Sequence, residues 1–408
     1  MKRMWHAAAC LVALIGLPAA ARAGQGPADA GEDGNAQPAA PKIVEEGLFP
    51  KSIRIPGTDL SLGIGGYVKV DFIQDFSAIG NVYEFKANTI PAEGTAAAAQ
   101  SGQTTIHARE TRFNLDVRSD GSGGHHFRAF VEGDFFGDNN SFRLRHAYGE
   151  FGAILGGQTW STFQDISARP LTVDFEGPDG EVFIRQPMIR FTRRIGANWT
   201  WAVAVEQPTP QFVVPSELTG SPRSQMPDIP GFVRYQRGSG HVQVAGLVRQ
   251  IRFDAIEASE DVAEAGWGVN ATFVAPGGGR NLVQGQFAIG EGIAHYIEAL
   301  NGQSLDATLS ADNRFSSVRS QAISLGYTIH WRQDLKSGLA YSTASVDDAA
   351  GLGPGVIDRV QDVRASLWYT PYRLVDFAGE VLWGRRANQD GGSGDAWRFQ
   401  FSTIYRLN

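Results

Sequence analysis

The stretch WRFQFSTIYRLN, residues 397–408, alternates along almost its whole length. Trp397, Phe399, Phe401, Tyr405 and Leu407 fall on one side, and Arg398, Gln400, Ser402 and Arg406 on the other. That is the period of two which gives a strand one apolar and one polar face. A terminal strand this apolar on one side needs something to cover it, and what covers it decides the fold.

The same period recurs along the chain. Leu62, Ile64, Gly66, Val68, Val70 and Phe72 oppose Lys69 and Asp71; Phe113, Leu115 and Val117 oppose Arg112, Asn114, Asp116 and Arg118; Phe127, Ala129 and Val131 oppose Arg128, Glu132 and Asp134. Later stripes run through Trp199–Val205, Val242–Val244, Trp267–Phe273, Ile323–Trp331 and Val363–Tyr369. Two segments fit badly. In EVFIRQPMIRFTRR, Pro187 interrupts the ladder and Arg185 and Arg190 differ in parity, which predicts a bulge or local break. In RLRHAYGEF, Arg143 and Arg145 share a face with Ala147 and Gly149, leaving His146 and Glu150 on the apolar side, where burial between protomers would suit them.

Connector lengths give a second regularity. Short turns (SDGSGG, GA, GSG, PGGG, RQDL) alternate with long segments at 75–103, 161–181, 207–230 and 291–318. Short periplasmic turns and long extracellular loops characterise transmembrane β-barrels. The expected fold is therefore all-β, an antiparallel transmembrane barrel of about sixteen strands closed by pairing the last strand with the first, because backbone groups in hydrocarbon must all be paired. The apolar faces then meet lipid and the polar faces a wet lumen. The alternative for a single strand is the half-buried edge of a secreted β-sandwich; heat-modifiable migration in detergent gels separates the two.

Residues 1–23 read as a signal peptide, with Lys2 and Arg3, an apolar run Ala7–Leu17 and Ala21-Arg22-Ala23. Cys10, the single cysteine, lies inside it, so the mature chain has no thiol for disulfide, metal or nucleophile chemistry. Cleavage removes three bases and no acid from 36 bases and 43 acids, leaving the mature chain near −10, a poor balance for nucleic-acid binding. Residues 24–50, rich in Ala, Gly, Pro and acid, read as a flexible periplasmic linker, and 51–408 as the barrel.

PKSIRIPGTDLSLGIGGYVKVDF, RETRFNLDVRS and SFRLRHAYGEFGAILGGQTWSTFQD together resemble the DcaP-like family of outer-membrane porins, from about Pro50 to the C-terminus. RLRHAY followed by GQTWSTF also resembles the wider trimeric general porins. The resemblance implies a homotrimer of sixteen-stranded barrels in the Gram-negative outer membrane, among lipid and lipopolysaccharide, passing small and preferentially anionic solutes such as dicarboxylates. The sequence departs from the family in residues 24–50, which are unlike a coiled-coil extension, and in ending on Asn408 rather than an aromatic.

The constriction is expected from residues 161–181, between the fifth and sixth strands, folded inward. It carries Asp165, Asp174, Glu176, Asp179 and Glu181, with Arg169 its only base. Lys69, Arg112, Arg128, Arg143 and Arg145 on early strands are expected to form a facing basic wall, since opposed charge rows orient dipolar solutes and an arginine ladder lowers the barrier for anions. For any one arginine, a rim position paired with a nearby acid is the competing reading.

No cofactor, metal or catalytic residue is expected. The eight histidines show no HExxH spacing, and His125 with His126 sits in a polar turn. No GxSxG occurs, and Gly63, Gly65 and Gly66 precede no helix, so they read as strand glycines at a seam or bend. The acidic segments 254–264 and 305–312 lack the calcium-loop order and read as solvated or lipopolysaccharide-bridging loops. A passive porin is thus favoured over an outer-membrane barrel enzyme, with a phosphate- or sugar-selective channel left open as the alternative.

Overall fold

The computed structural model describes residues 45–121, 126–256, 260–347, 353 and 355–407. The expected signal peptide, most of the expected linker, and His125 lie outside them. Sixteen strands build the wall: β1 (Ser61–Asp75), β2 (Arg112–Ser119, preceded by Thr104–His107), β3 (Phe127–Asp134), β4 (Arg143–Phe151), β5 (Ile154–Trp160), β6 (Arg185–Ile195), β7 (Trp199–Glu206) and β8 (Ile229–Arg237), then β9 (Gly240–Ala255), β10 (Val262–Pro276), β11 (Leu282–Glu291), β12 (Arg319–His330), β13 (Leu335–Val346), β14 (Ile357–Tyr372), β15 (Val375–Asn388) and β16 (Ser393–Arg406). Every neighbouring pair is antiparallel. β16 closes the ring on β1 with Tyr67 opposite Arg406, Phe72 opposite Phe401 and Asp75 opposite Arg398. Among the described residues no wall strand is left without a neighbour on either side, as hydrocarbon demands. Among the described residues no helix is long and apolar enough to cross a membrane, which says nothing of a β-barrel.

The alternation settles which residues face out. Trp397, Phe401, Tyr405 and Leu407 are exposed on the outer surface, whereas Arg398, Gln400 and Ser402 are buried inside. The seam is locked from within: Arg398 grips Asp75 with Nε and Nη2 at 2.6 and 3.1 Å, and Gln400 donates to Asp71 at 2.9 Å. Gly66 holds φ at +128°, and a Cβ there would lie 2.1 Å from the carbonyl oxygen of Arg112, which explains a glycine at this bend.

The two misfitting strands resolve in opposite ways. The irregularity lies in β4, not β6. On the β3–β4 ladder the register shifts between Glu132 and Gly133, which face His146 and Leu144, so Arg145 is the extra residue of a bulge. Parity flips there. Arg143 and Arg145 point inward ahead of the bulge, and His146, Tyr148 and Glu150 point inward after it, with His146 3.0 Å from the Thr159 hydroxyl and Arg128 3.8 Å from Glu150. His146 and Glu150 are therefore lumenal, and they do not mark a protomer interface. β6 runs unbroken against β5 through Pro187 opposite Gln158. Pro187 sits where the β7 ladder ends at Met188–Glu206, and its carbonyl accepts from Gln207 at 2.9 Å, so the missing N–H interrupts no ladder bond.

Among the described residues at least three loops, not one, fold inward. Phe85 and Ile90 of loop 1 (76–103), Phe163 and Val182 of loop 3 (161–184), and Ile293, Tyr296, Ile297 and Leu300 of loop 6 (292–318) join lumenal Ala245, Leu247, Ala288, Val360 and Leu382 in one apolar cluster. These loops consequently fill much of the lumen on the β9–β16 side. Open space is displaced toward β1–β6. Asp306, expected in a solvated loop, is buried, accepting from Arg249 at 3.2 Å and from the backbone of Gln211 at 2.9 Å.

Candidate pore constriction

Loop 3 leaves β5 at a turn in which the Ser161 hydroxyl and the Thr162 N–H both donate to Glu206, at 2.7 and 2.6 Å. It crosses the lumen and docks on the far wall. There the N–H groups of Val173 and Asp174 donate to Glu380 at 3.0 and 2.7 Å, that of Asp179 to Asp362 at 3.1 Å, and that of Gly180 to the Ser342 hydroxyl at 2.8 Å. The loop backbone lies directly on the strands: a Cβ on Gly338 of β13 would be 2.1 Å from the Leu171 oxygen, and one on Gly180 would be 2.4 Å from that of Thr343.

The acids of loop 3 lie on this inward loop but do not face the channel. Asp165 accepts from Arg234, His241 and Thr272, each at 2.7 Å. Burial works against its ionisation, but the hydrogen bond from His241 and the charge of Arg234 outweigh it and hold the carboxyl well below the usual range. Asp174 is likewise held low despite burial, by Arg364 at 3.3 Å and Arg398 at 3.6 Å. Asp179 accepts from the Ala87 N–H at 3.0 Å and is pushed up by burial and by Asp362. Glu176 pairs with Lys86 at 2.7 Å and is raised by burial and by Glu298. Arg169 bonds Glu181 at 3.0 Å and the Glu176 carbonyl. In place of an acidic row facing solute, these groups bolt the loop down. An acid-rich crossing segment has many unpaired backbone and side-chain groups, and the wall supplies their partners.

The basic residues divide into three roles. Lys69 is buried; it bonds Glu110, lies 3.3 Å from Asp71 and donates to the Val173 carbonyl at 2.7 Å, so it is an anchor for the loop. Glu110 reaches it because β2 breaks at residues 108–111. Arg112, Arg143 and Arg145 surround Phe175 of loop 3, their guanidinium carbons 5.6, 5.4 and 5.2 Å from the ring centre, and Phe136 stacks on that ring at 4.2 Å. Arg128 is not at the constriction. It lies at the periplasmic mouth, opposite Arg118 and bonded to Asp116 at 3.0 and 2.9 Å.

Phe175 separates two cavities. One of about 440 Å3, on the periplasmic side, is bordered by Tyr67, Arg112 and Asp174. The other, about 400 Å3 on the extracellular side, is bordered by Lys86, Arg143, Arg185 and Glu298. Between them accessible charge is basic. Arg143 and Arg112 expose 34% and 22% of their side chains, while the carboxylates behind them, Asp134, Glu110 and Glu132, expose 0%, 10% and 14%. Arg185 stacks on Trp160 at 4.8 Å, and its Nη1 is buried without a partner among the described residues.

A model of the DcaP outer membrane protein family matches residues 51–406. The chain belongs to the DcaP outer membrane protein family. The outer membrane channel DcaP of Acinetobacter baumannii is similar in structure to this DcaP-family chain, with a TM-score of 0.75, 22% identity, and coverage of 85% of this chain and 97% of that one. An anion-selective porin from Comamonas acidovorans gives 0.58 at 11% identity, covering 85% and 100%. OmpT, an outer membrane protein of Vibrio cholerae, gives 0.54 at 11%, covering 86% and 99%. A search of curated proteins gave no match. This DcaP-family member is thus an outer-membrane protein with the β-barrel fold of the porins it resembles.

Several channel residues of this DcaP-family barrel escaped the sequence reading. Arg185 was visible only as a parity conflict. Phe175 and Lys86 carry no local signal, since a phenylalanine in an acidic loop and a lysine in a long connector look alike whether they line a pore or face solvent. Arg364 and Arg398 do alternate correctly, but nothing local shows that their partner is Asp174.

Proposed function

We propose that this channel passes small hydrophilic anions in preference to cations, with dicarboxylates as the class implied by its family, and that it works as a homotrimer exported by a signal peptide at residues 1–23. The observation that carries the selectivity is the layering at Phe175: guanidinium heads reach water while their balancing carboxylates are buried behind them. A permeating anion meets donors first, and donors in a fork geometry suit carboxylates. The acids of loop 3, neutralised by Arg364, Arg398, Arg234 and Lys86, do not oppose it. The anion selectivity of the Comamonas porin runs in the same direction.

Support for a trimer comes from wall height. β2, β3, β4 and β5 contain 8, 8, 9 and 7 residues, whereas β9, β10 and β14 contain 16, 15 and 16. A strand needs about 9–11 residues to span the hydrocarbon, so the low side is suited to cover by neighbouring copies rather than by lipid. Chemical cross-linking in native membranes tests this. For selectivity, the test is the reversal potential across a salt gradient in a planar bilayer. Arg143→Gln with Arg185→Gln should move it toward zero; a wild-type channel selective for cations would overturn the proposal.

A further inference from the structure

At the periplasmic mouth a second basic cluster stands apart from the constriction. A cavity of about 640 Å3 lies between the Leu48–Phe49 segment and the lumenal faces of β2–β6. The segment is held there by pairing of Ser52–Arg54 with Ser61–Gly63 and by the Leu48 N–H donating to Ser61 at 2.9 Å. The Phe49 ring closes one side, 4.3 Å from the guanidinium carbon of Arg118.

Charge in this cavity is unbalanced. Arg118 and Arg128 share a single carboxylate, Asp116, which accepts from Arg118 at 3.1 and 2.6 Å and from Arg128 at 3.0 and 2.9 Å. Glu150 lies 3.8 Å from Arg128, and Asp120 is taken by His126 at 2.8 Å. β6 adds Arg190 and Arg194 to the cavity lining; Glu206 and Glu150 act on Arg190 from beyond ion-pair distance, and among the described residues neither arginine forms an ion pair or a side-chain hydrogen bond. The Nε of Arg190 is buried and unpartnered. A guanidinium withdrawn from water with donors unused is costly to leave so, and an incoming oxyanion supplies the missing acceptors in the planar geometry the group prefers.

We propose that this cavity is a second anion site, in which a compact oxyanion, carboxylate or phosphate, binds between Arg190, Arg194 and Arg128 at the periplasmic end of the channel. It does not depend on the selectivity of the constriction, being built from different side chains below Phe175.

Isothermal titration of the full-length protein in detergent tests it, using succinate in one arm and inorganic phosphate in the other, with heat-modifiable migration confirming the barrel in each variant. The Arg185→Gln protein, impaired at the constriction, should still bind at least one of the two anions; the tighter arm identifies the preferred oxyanion. Adding Arg190→Gln should weaken that binding at least tenfold, and Arg194→Gln, at an exposed position whose change leaves the fold intact, several-fold. Undiminished affinity in both, or no binding by the Arg185→Gln protein, overturns the site. A cation-selective channel that still shows Arg190-dependent binding would sink the proposed selectivity and leave this site standing.

Discussion

Replacing Gly338 by valine tests how loop 3 sets the bore. The Cβ alone would stand 2.1 Å from the Leu171 oxygen and 2.7 Å from the Ser366 hydroxyl. Ordinary contact requires the loop to retreat by roughly 1 Å. Two responses compete: the loop detaches, or it stays docked and shifts into the channel. Overpacking of this kind costs about 1–3 kcal/mol. Detachment would break the two N–H bonds to Glu380 and the bond from Lys69 to the Val173 carbonyl, and hydrogen bonds to charged groups contribute about 1.5–3 kcal/mol each. Retention wins, so Phe175, four residues beyond Leu171, moves toward Arg112 and Arg143. Single-channel conductance should fall by roughly a third, because a shift of about 1 Å moves the Phe175 ring into the space between the two cavities it separates. Ion preference should persist. Conductance that rises, or long open bursts, would show that the loop lets go and refute the anchoring argument; unchanged conductance would show that Leu171 does not set the bore.

Asp165→Asn weakens the grip of Arg234 and His241 on the first part of loop 3, and should raise conductance and its noise in the same recordings. Glu84, pushed up to about 7 by burial and by Glu176 beside it, ionises as pH rises through neutrality and adds negative charge beside the extracellular cavity. Anion preference should therefore be stronger near pH 6 than near pH 8, and Glu84→Gln should flatten that dependence. With a folded-state pKa above the ordinary value, protonated Glu84 also contributes stability that is present in acid and lost as pH rises through about 7. On the outer wall, Phe401 stacks with Phe377 at 6.5 Å between ring centres. Phe401→Arg should cost about 2–4 kcal/mol if near the bilayer midplane, read as a lower urea midpoint in lipid vesicles; no shift would place this face away from lipid.

The sequence by itself determined the sixteen-stranded class, the inward and outward faces of most strands and the position of the constricting loop. Alternation between Trp397 and Leu407 is a local property: each side chain points opposite its neighbour, and the solvent on either side selects its chemistry. Loop length is equally local. Only the tertiary structure decided what the charges do. Asp174 meets Arg364 and Arg398, and Lys69 meets the Val173 carbonyl, because closure of the ring brings distant segments together. A buried carboxylate and a pore-lining one are the same letter until that happens. The bulge at Arg145 shows the same limit, since one extra residue reverses parity for the rest of β4 and only the ladder with β3 reveals it.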